Sequence, residues 1–304
     1  LDPAFRTGTK WVLVNHTGRF VKHGVIYPVP PKNQVEEARK ELNAVLKEHK
    51  VDIVAIGNGT ASREVFRFIR DWIKDENHEL ETLVVNESGA SVYSASKTAR
   101  EEFPDLDLTV RGAVSIARRY QDPLAELLKI EPKSIGVGQY QHDVNQNRLK
   151  QSLERTVESC VNYVGVDLNR ASFQLLEHVS GISPGLARNI VQHRNLNGAY
   201  STRNDLLNVK GMGKRTFEQS AGFLRVMESE NPLDQSAVHP ENYTLVEQMA
   251  EHLELPLKEM VGNEEKLKLI DVKRYEEQGI GSFTLKDIID ELHKPGRDPR
   301  KDHE

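Results

Sequence analysis

Four carboxylates and two glycine-rich turns are the residues of this chain whose types and spacing could do chemistry. Asp2 falls at the end of a short opening strand, Glu87 follows the apolar run TLVVN, and Asp122 opens the helical run DPLAELLKI. Acids gathered at the strand ends of one sheet can hold one or two divalent ions for in-line phosphodiester hydrolysis, the metals stabilising the attacking and leaving oxygens. Glu126, four residues after Asp122 and therefore on the same helix face, is a candidate fourth ligand. The competing use is structural, with the same acids capping helices or pairing with Arg6, Arg111 or Arg118. Spacing leaves both uses open.

The turns are GISPGLARNIVQHR and VKGMGKRTFEQSAGF, and each reads as a helix-hairpin-helix element. In the second, Gly211 and Gly213 flank the apolar Met212, so the chain can turn sharply and start a new helix. The free N–H groups and positive dipole end of that helix favour an anion, and Lys214 and Arg215 add charge beside them. The first turn keeps Gly181 and sets Pro184 where a helix begins, with Gly185 and Arg188 behind it, but carries Ser183 at the second glycine position. Backbone-phosphate contact through Gly181, Ser183, Gly185, Arg188, Gly211, Gly213, Lys214 and Arg215 is expected, mainly independent of base sequence, with helix packing or protein docking as the alternative use of the pair.

The elements that must position these residues change character along the chain. KWVLVNH and FVKHGVIYP read as two strands joined by Thr17-Gly18-Arg19, followed by a helix over about Val35 to His49. VDIVAIGN and TLVVN are buried strands separated by the helix TASREVFRFIRDWI. The opening LDPAFRTG has almost no strand before its turn, as if a central strand were cut, so the chain reads as a piece of a longer protein. Leu149 to Val164 has helical periodicity and predicts a long linking helix; FLRVMES reads as a helix end before Asn231-Pro232; helices are expected near Tyr243 to His252 and Leu285 to Leu292. The fold class is therefore α/β followed by all-α.

Three further features have bland expected uses. Gly57-Asn58-Gly59-Thr60 lacks the lysine and spacing of a nucleotide loop, so Thr60 or Ser62 is expected to cap the following helix. One His beside one Asp in Gln139-Tyr140-Gln141-His142-Asp143 is not a ligand set, and Tyr140 and His142 are expected to pack between the first domain and the hairpins. Cys160 lies in an apolar-periodic run and is expected to be a buried structural thiol.

At 304 residues the chain exceeds one typical domain. The net charge of −5 hides an uneven distribution: +1 over residues 1–150, +2 over 151–228 and −8 over 229–304. A nucleic-acid surface is expected in the first two regions, while the acidic last quarter repels phosphate, meets a protein, or forms a solvated helical face. One cysteine excludes an intramolecular disulfide framework and a multi-cysteine zinc site. With no signal-peptide pattern and no apolar stretch long enough to span a bilayer, no membrane partner is expected, and the compartment is read as intracellular and reducing, cytoplasmic or nuclear.

LDPAFRTG, IGNGTASRE, VNESGASVYSAS, RGAVSIARRYQDPLAELLKIEPKSIGVGQYQHDV, VGVDLNRAS, the two hairpins, FEQSAGFLRV, NPLDQSAVHPENY and the closing KPGRDPR together resemble the Tex transcription accessory proteins. The resemblance runs through essentially the whole chain. It implies a YqgF-type ribonuclease-H-like mixed-sheet domain at 1–128, a linking segment and long helix at 129–165, a double helix-hairpin-helix domain at 166–228, and a second helical, hairpin-type domain at 229–304. It also implies a nucleic-acid-binding factor linked to transcription, taking RNA or DNA and contacting transcription machinery, similar in core architecture to a eukaryotic elongation factor that also chaperones histones. Intact members have a helical region before LDP and an OB-fold RNA-binding module after KPGRDPR, and this sequence contains neither. Asp2, Glu87 and Asp122 match the acidic motif positions of YqgF and Holliday-junction resolvase relatives, with Glu126 added on helical spacing alone. Ala4 stands where the family usually has glycine. Because Tex members are regarded as binding proteins without established cleavage, the resemblance implies no catalytic residues, no metal and no cofactor; the alternatives are a metal-dependent nuclease or junction resolvase using Asp2, Glu87 and Asp122, and a docking scaffold for transcription machinery.

Overall fold

A computed structural model describes residues 1–16 and 18–293, in two compact units, Leu1–Val144 and Asn145–Glu304. Thr17 of the predicted first turn and the closing KPGRDPR lie outside the described residues.

The first unit is mixed α/β. β1 (Thr9–Val14) and β2 (Phe20–Ile26) pair antiparallel, from Thr9 opposite Ile26 to Val14 opposite Phe20. After α1 (Val35–Glu48) come β3 (Ile53–Gly57), α2 (Ser62–Asp75) and β4 (Glu81–Val85), and β3 and β4 pair in parallel across the helix. Leu1 and Asp2 join the two strand pairs: Asp2 exchanges backbone hydrogen bonds of 2.8 and 3.1 Å with Lys10, and Gly57 N–H donates to Leu1 O at 2.9 Å. β3 and β4 both read as buried strands, but of their residues only Ile56, Gly57 and Val85 are buried: β3 lies inside the sheet, whereas β4 leaves Glu81 and Val84 exposed. Ile56 packs with Val65, Ile69 and Trp72 of α2 and with Trp11 and Ile26, whereas Ala55, Leu83 and Val85 face Ala90 and Ile116. Burying side chains of this size contributes about 1.5–3 kcal/mol each.

The unit continues with α3 (Ala90–Ala95), α4 (Lys97–Glu102), α5 (Leu108–Gln121), α6 (Pro123–Leu127) and α7 (Pro132–Ile135). α5 begins where Asp107 accepts the N–H groups of Thr109 and Val110, and it buries Val110, Ala113, Val114 and Ile116. Contrary to expectation, Tyr140 is 67% exposed and His142 is exposed; Gln141 between them is half-buried and bonds within the segment, accepting from Val137 N–H and donating to Lys133 O. Neither Thr60 nor Ser62 caps α2, because the chain enters that helix through Ala61 in the left-handed region (φ 64°).

The second unit starts with α8 (Gln146–Val164), capped by Asn145 and ended at Gly165. Cys160 is exposed rather than buried: the helix turns its adjacent Val161 inward, and a single residue step rotates the next side chain by about 100°. β5 (Val166–Asp167) follows, then α9 (Phe173–Leu176), α10 (Pro184–Asn197) and α11 (Lys214–Ser220). The predicted helix end at FLRVMES is instead β6 (Leu224–Arg225), which pairs in parallel with β5. The remainder is helical: α12 (Tyr243–His252), α13 (Leu257–Met260), α14 (Glu264–Leu267), α15 (Val272–Glu277) and α16 (Ser282–His293), closing over Val246, Met249, Met260, Leu267, Leu285 and Ile288. Arg203, fully buried, ties this region to the hairpins by donating to the carbonyl oxygens of Val238 at 2.7 Å, Asp234 at 3.1 Å, Leu233 at 3.2 Å and Ser236. Among the described residues no helix is long and apolar enough to cross a membrane.

Candidate functional site

The two hairpins are built by the same backbone. Gly181 (φ 85°) and Gly211 (φ 91°) both occupy the left-handed region, where a side chain would be strained. Each is followed by a buried apolar anchor, Ile182 or Met212, that pins the turn to the core. The next residue is an extended N-cap, Ser183 (φ −78°, ψ 158°) before α10 and Gly213 (φ −90°, ψ 163°) before α11. Ser183 at the second glycine position is thus accommodated without strain, and its hydroxyl caps α10 by accepting Leu186 N–H at 3.3 Å.

The packing between hairpins is reciprocal. A Cβ placed on Gly181 would lie 3.0 Å from Gln219, the sixth residue of α11, and one on Gly211 would lie 3.7 Å from Asn189, the sixth residue of α10. Each turn therefore lies on the other hairpin's helix, an approximate two-fold relation. Asn189 also donates to Lys210 O at 2.8 Å, locking the second turn to α10. Sequence reasoning missed Asn189 and Gln219, although both stand eight residues beyond the first glycine of their hairpins.

All eight predicted phosphate-contact residues, Gly181, Ser183, Gly185, Arg188, Gly211, Gly213, Lys214 and Arg215, are exposed, and nothing lies within 4 Å of a Cβ built on Gly185 or Gly213. At α11 no side chain caps the backbone N–H groups of the helix start, whereas at α10 Pro184 has no N–H and Leu186 N–H is given to Ser183, which leaves Gly185 N–H facing the open space. The cations differ between hairpins. Arg188 lies 3.5 Å from the Glu177 carboxylate and over the Phe173 ring, so its charge is partly answered. Among the described residues Lys210, Lys214 and Arg215 are in no ion pair, so the second hairpin carries the uncommitted positive charge.

The four acids of the first unit divide. The Glu87 carboxylate lies over the Gly57–Gly59 loop, where a Cβ on Gly59 would be 1.8 Å from Oε1 and one on Gly57 would be 2.3 Å from Oε2. It accepts Gly59 N–H and so occupies the place where that loop would have held an anion. Burial pushes the Glu87 carboxyl above the usual carboxylate range, and the neighbouring Asp2 charge adds to the rise. Burial likewise raises Asp2, opposed by the α-amino group and Lys10. These two acids are brought together. Asp122 is the N-cap of α6, accepting Ala125 N–H at 3.0 Å. Glu126 is buried against Lys129 at 2.7 Å and Arg118 at 3.7 Å, in a network that also takes in Glu102. Arg118 is thus the expected countercharge, while Arg111 is spent on the Phe103 and Pro104 carbonyl oxygens. Among the described residues no group of three or more His, Cys, Asp or Glu is placed to hold a metal ion.

Comparison with known proteins assigns both regions to described domains. Residues 1–121 match the Tex protein YqgF-like domain, 161–225 the helix-hairpin-helix motif, and 231–300 a further HHH domain. The chain is 52% identical to Protein tex of Bordetella pertussis over 301 residues, 99% of this chain and 38% of that protein. It is 50% identical to the Transcriptional accessory protein Tex of Neisseria gonorrhoeae, over 99% of this chain and 39% of the relative. Human S1 RNA-binding domain-containing protein 1 is 44% identical over 229 residues, 74% of this chain and 23% of that protein. The chain spans about two fifths of the length of the bacterial relatives it matches. With a YqgF-like domain followed by two helix-hairpin-helix regions, and with half of its residues shared along nearly its whole length, this chain belongs to the Tex family of transcription accessory proteins.

Proposed function

We propose that the chain is a non-catalytic nucleic-acid-binding core that grips the phosphate backbone of RNA or DNA through its paired hairpins. The observation that carries this reading is the second hairpin: an exposed helix start at Gly213 with no side-chain cap, open space above it, and Lys210, Lys214 and Arg215 in no ion pair among the described residues. The two-fold relation supports it further, because two such turns can follow successive phosphates of one strand or the two strands of a duplex. A transcription accessory role is supported by the name of the Neisseria gonorrhoeae relative and RNA as a ligand by that of the human one, and the same reading includes contact with transcription machinery and an intracellular setting. Catalysis is set aside because Asp122 is spent on a helix cap and Glu126 on a buried ion pair, and among the described residues no third acid, His or Cys joins Asp2 and Glu87 in a metal-holding group.

The test is fluorescence anisotropy with labelled single-stranded RNA, single-stranded DNA and duplex DNA across a salt series. Log affinity is expected to fall linearly with log salt concentration for all three. Binding that ignores salt, or no binding at low salt, defeats the reading. A parallel incubation with Mn²⁺ and four-way junctions is expected to give no cleavage; turnover abolished by Asp122→Asn would establish the nuclease instead.

A further inference from the structure

A groove of the first unit, remote in the sequence from the hairpins, has the makings of a peptide site. β4 pairs with β3 on one side only; among the described residues no strand pairs with its other edge. Glu81 N–H donates to Asp52 O and Asn58 N–H donates to Val85 O, both at 3.0 Å. Alternate residues of a strand address the same neighbour, so 81, 83 and 85 are committed to β3, and Thr82 and Val84 direct their N–H and C=O groups outward. Both residues line an open groove of about 1260 Å³ between this edge and α2. Val84 is 49% exposed, large for a mid-strand valine, and Thr82 Oγ1, a buried atom, has no hydrogen-bond partner among the described residues.

The opposite wall is basic. Arg63, Arg67, Arg70 and Lys74 recur at helical spacing along α2, all are exposed, and all line the groove. Among the described residues none of the four is in an ion pair, and the two acids of the same wall, Glu64 and Asp71, leave cations in excess. Between the cations lie Phe66 and Ile73, both partly buried. An unpaired strand edge supplies donors and acceptors in alternation, a pattern another peptide backbone matches and a phosphate chain, lacking donors, does not. The geometry points to docking of an extended acidic peptide from a partner protein, added as a strand to β4 at Thr82 and Val84, with apolar side chains on Phe66 and Ile73 and carboxylates on the α2 cations.

The experiment uses the whole chain and a fluorescein-labelled ten-residue peptide of alternating Glu and Val. Binding is expected by anisotropy, with slowed hydrogen exchange at the Thr82 and Val84 amides. Arg67→Glu/Arg70→Glu is expected to weaken it at least about tenfold. Val84→Pro, which removes an outward N–H that β3 does not use, is expected to abolish it while circular dichroism stays unchanged. If the proline variant does not fold, the arginine pair and the exchange pattern still decide. Lys214→Ala/Arg215→Ala should bind the peptide like the parent, which separates this site from the hairpins. No binding, no protection at Thr82 and Val84, or displacement of the peptide by a ten-nucleotide poly-dT strand that binds Val84→Pro equally well would overturn the assignment.

Discussion

Asn189 donates its side-chain N–H to the Lys210 carbonyl oxygen at 2.8 Å, so the turn that presents Gly211 to Arg215 is held by a helix of the other hairpin. The second turn is therefore braced by α10 and not by its own cations, so changes to Lys214 and Arg215 are expected to alter contact rather than fold.

Lys214→Ala/Arg215→Ala is expected to weaken binding to unrelated nucleic-acid sequences alike and to reduce the magnitude of the salt slope by up to about two units. Gly213→Ala, whose Cβ meets nothing within 4 Å, should keep the fold and still lose affinity by crowding the phosphate. An unchanged slope in the folded double variant removes the second hairpin from the interface.

Ser183 fills a glycine position without penalty because it works as a cap. Ser183→Ala should cost about 1 kcal/mol in urea denaturation, and Ser183→Gly only a few tenths, since glycine is itself a tolerable N-cap. Equal losses in the two variants would show that the hydroxyl contributes nothing.

Arg203 satisfies the carbonyl oxygens of four residues between Leu233 and Val238 from a fully buried position. Arg203→Met strips these acceptors of their donor and is expected to destabilise by about 3 kcal/mol or more. Lysine should rescue little, lacking the planar fork that reaches several oxygens at once. Limited proteolysis reports the same event, with new cleavage near residues 233–238 in Arg203→Met alone.

The Asp2 and Glu87 carboxyls are both raised, chiefly by burial. A raised acid favours the folded state below its unfolded pKa and loses that contribution as pH rises through the folded value. At neutral pH the ionised pair is therefore a cost, and Glu87→Gln should raise the melting temperature at pH 7, with the gain fading as pH falls through the raised folded value and gone below about 4. Thermal denaturation of both proteins across that range checks it. Added Mn²⁺ should shift neither protein; a shift in the parent that Glu87→Gln loses would reveal a metal site.

The sequence by itself determined what depends on a few consecutive residues. Gly181 and Gly211, each followed by an apolar anchor and a helix start, specify the hairpin turns because only a left-handed backbone places the anchor inward and the next helix outward. Helical periodicity likewise located α12 at Tyr243–His252, and apolar runs located β3 and β4. Tertiary structure decided whatever required distant partners. β6 looked helical until its pairing with Val166–Asp167 made it a strand, because two-residue strands exist only through their neighbours. Spacing did not separate the uses of the four acids, yet Glu87 lies on the Gly57–Gly59 loop close enough to Asp2 to feel its charge, Asp122 caps a helix, and Glu126 is buried on Lys129. Cys160 and Tyr140 were read as buried from local pattern, but exposure is settled by which helix face or loop residue the rest of the chain covers, and Val161 and Gln141 took those places. Hydrogen-bond valence and burial are properties of the assembled neighbourhood, which no spacing along the chain encodes.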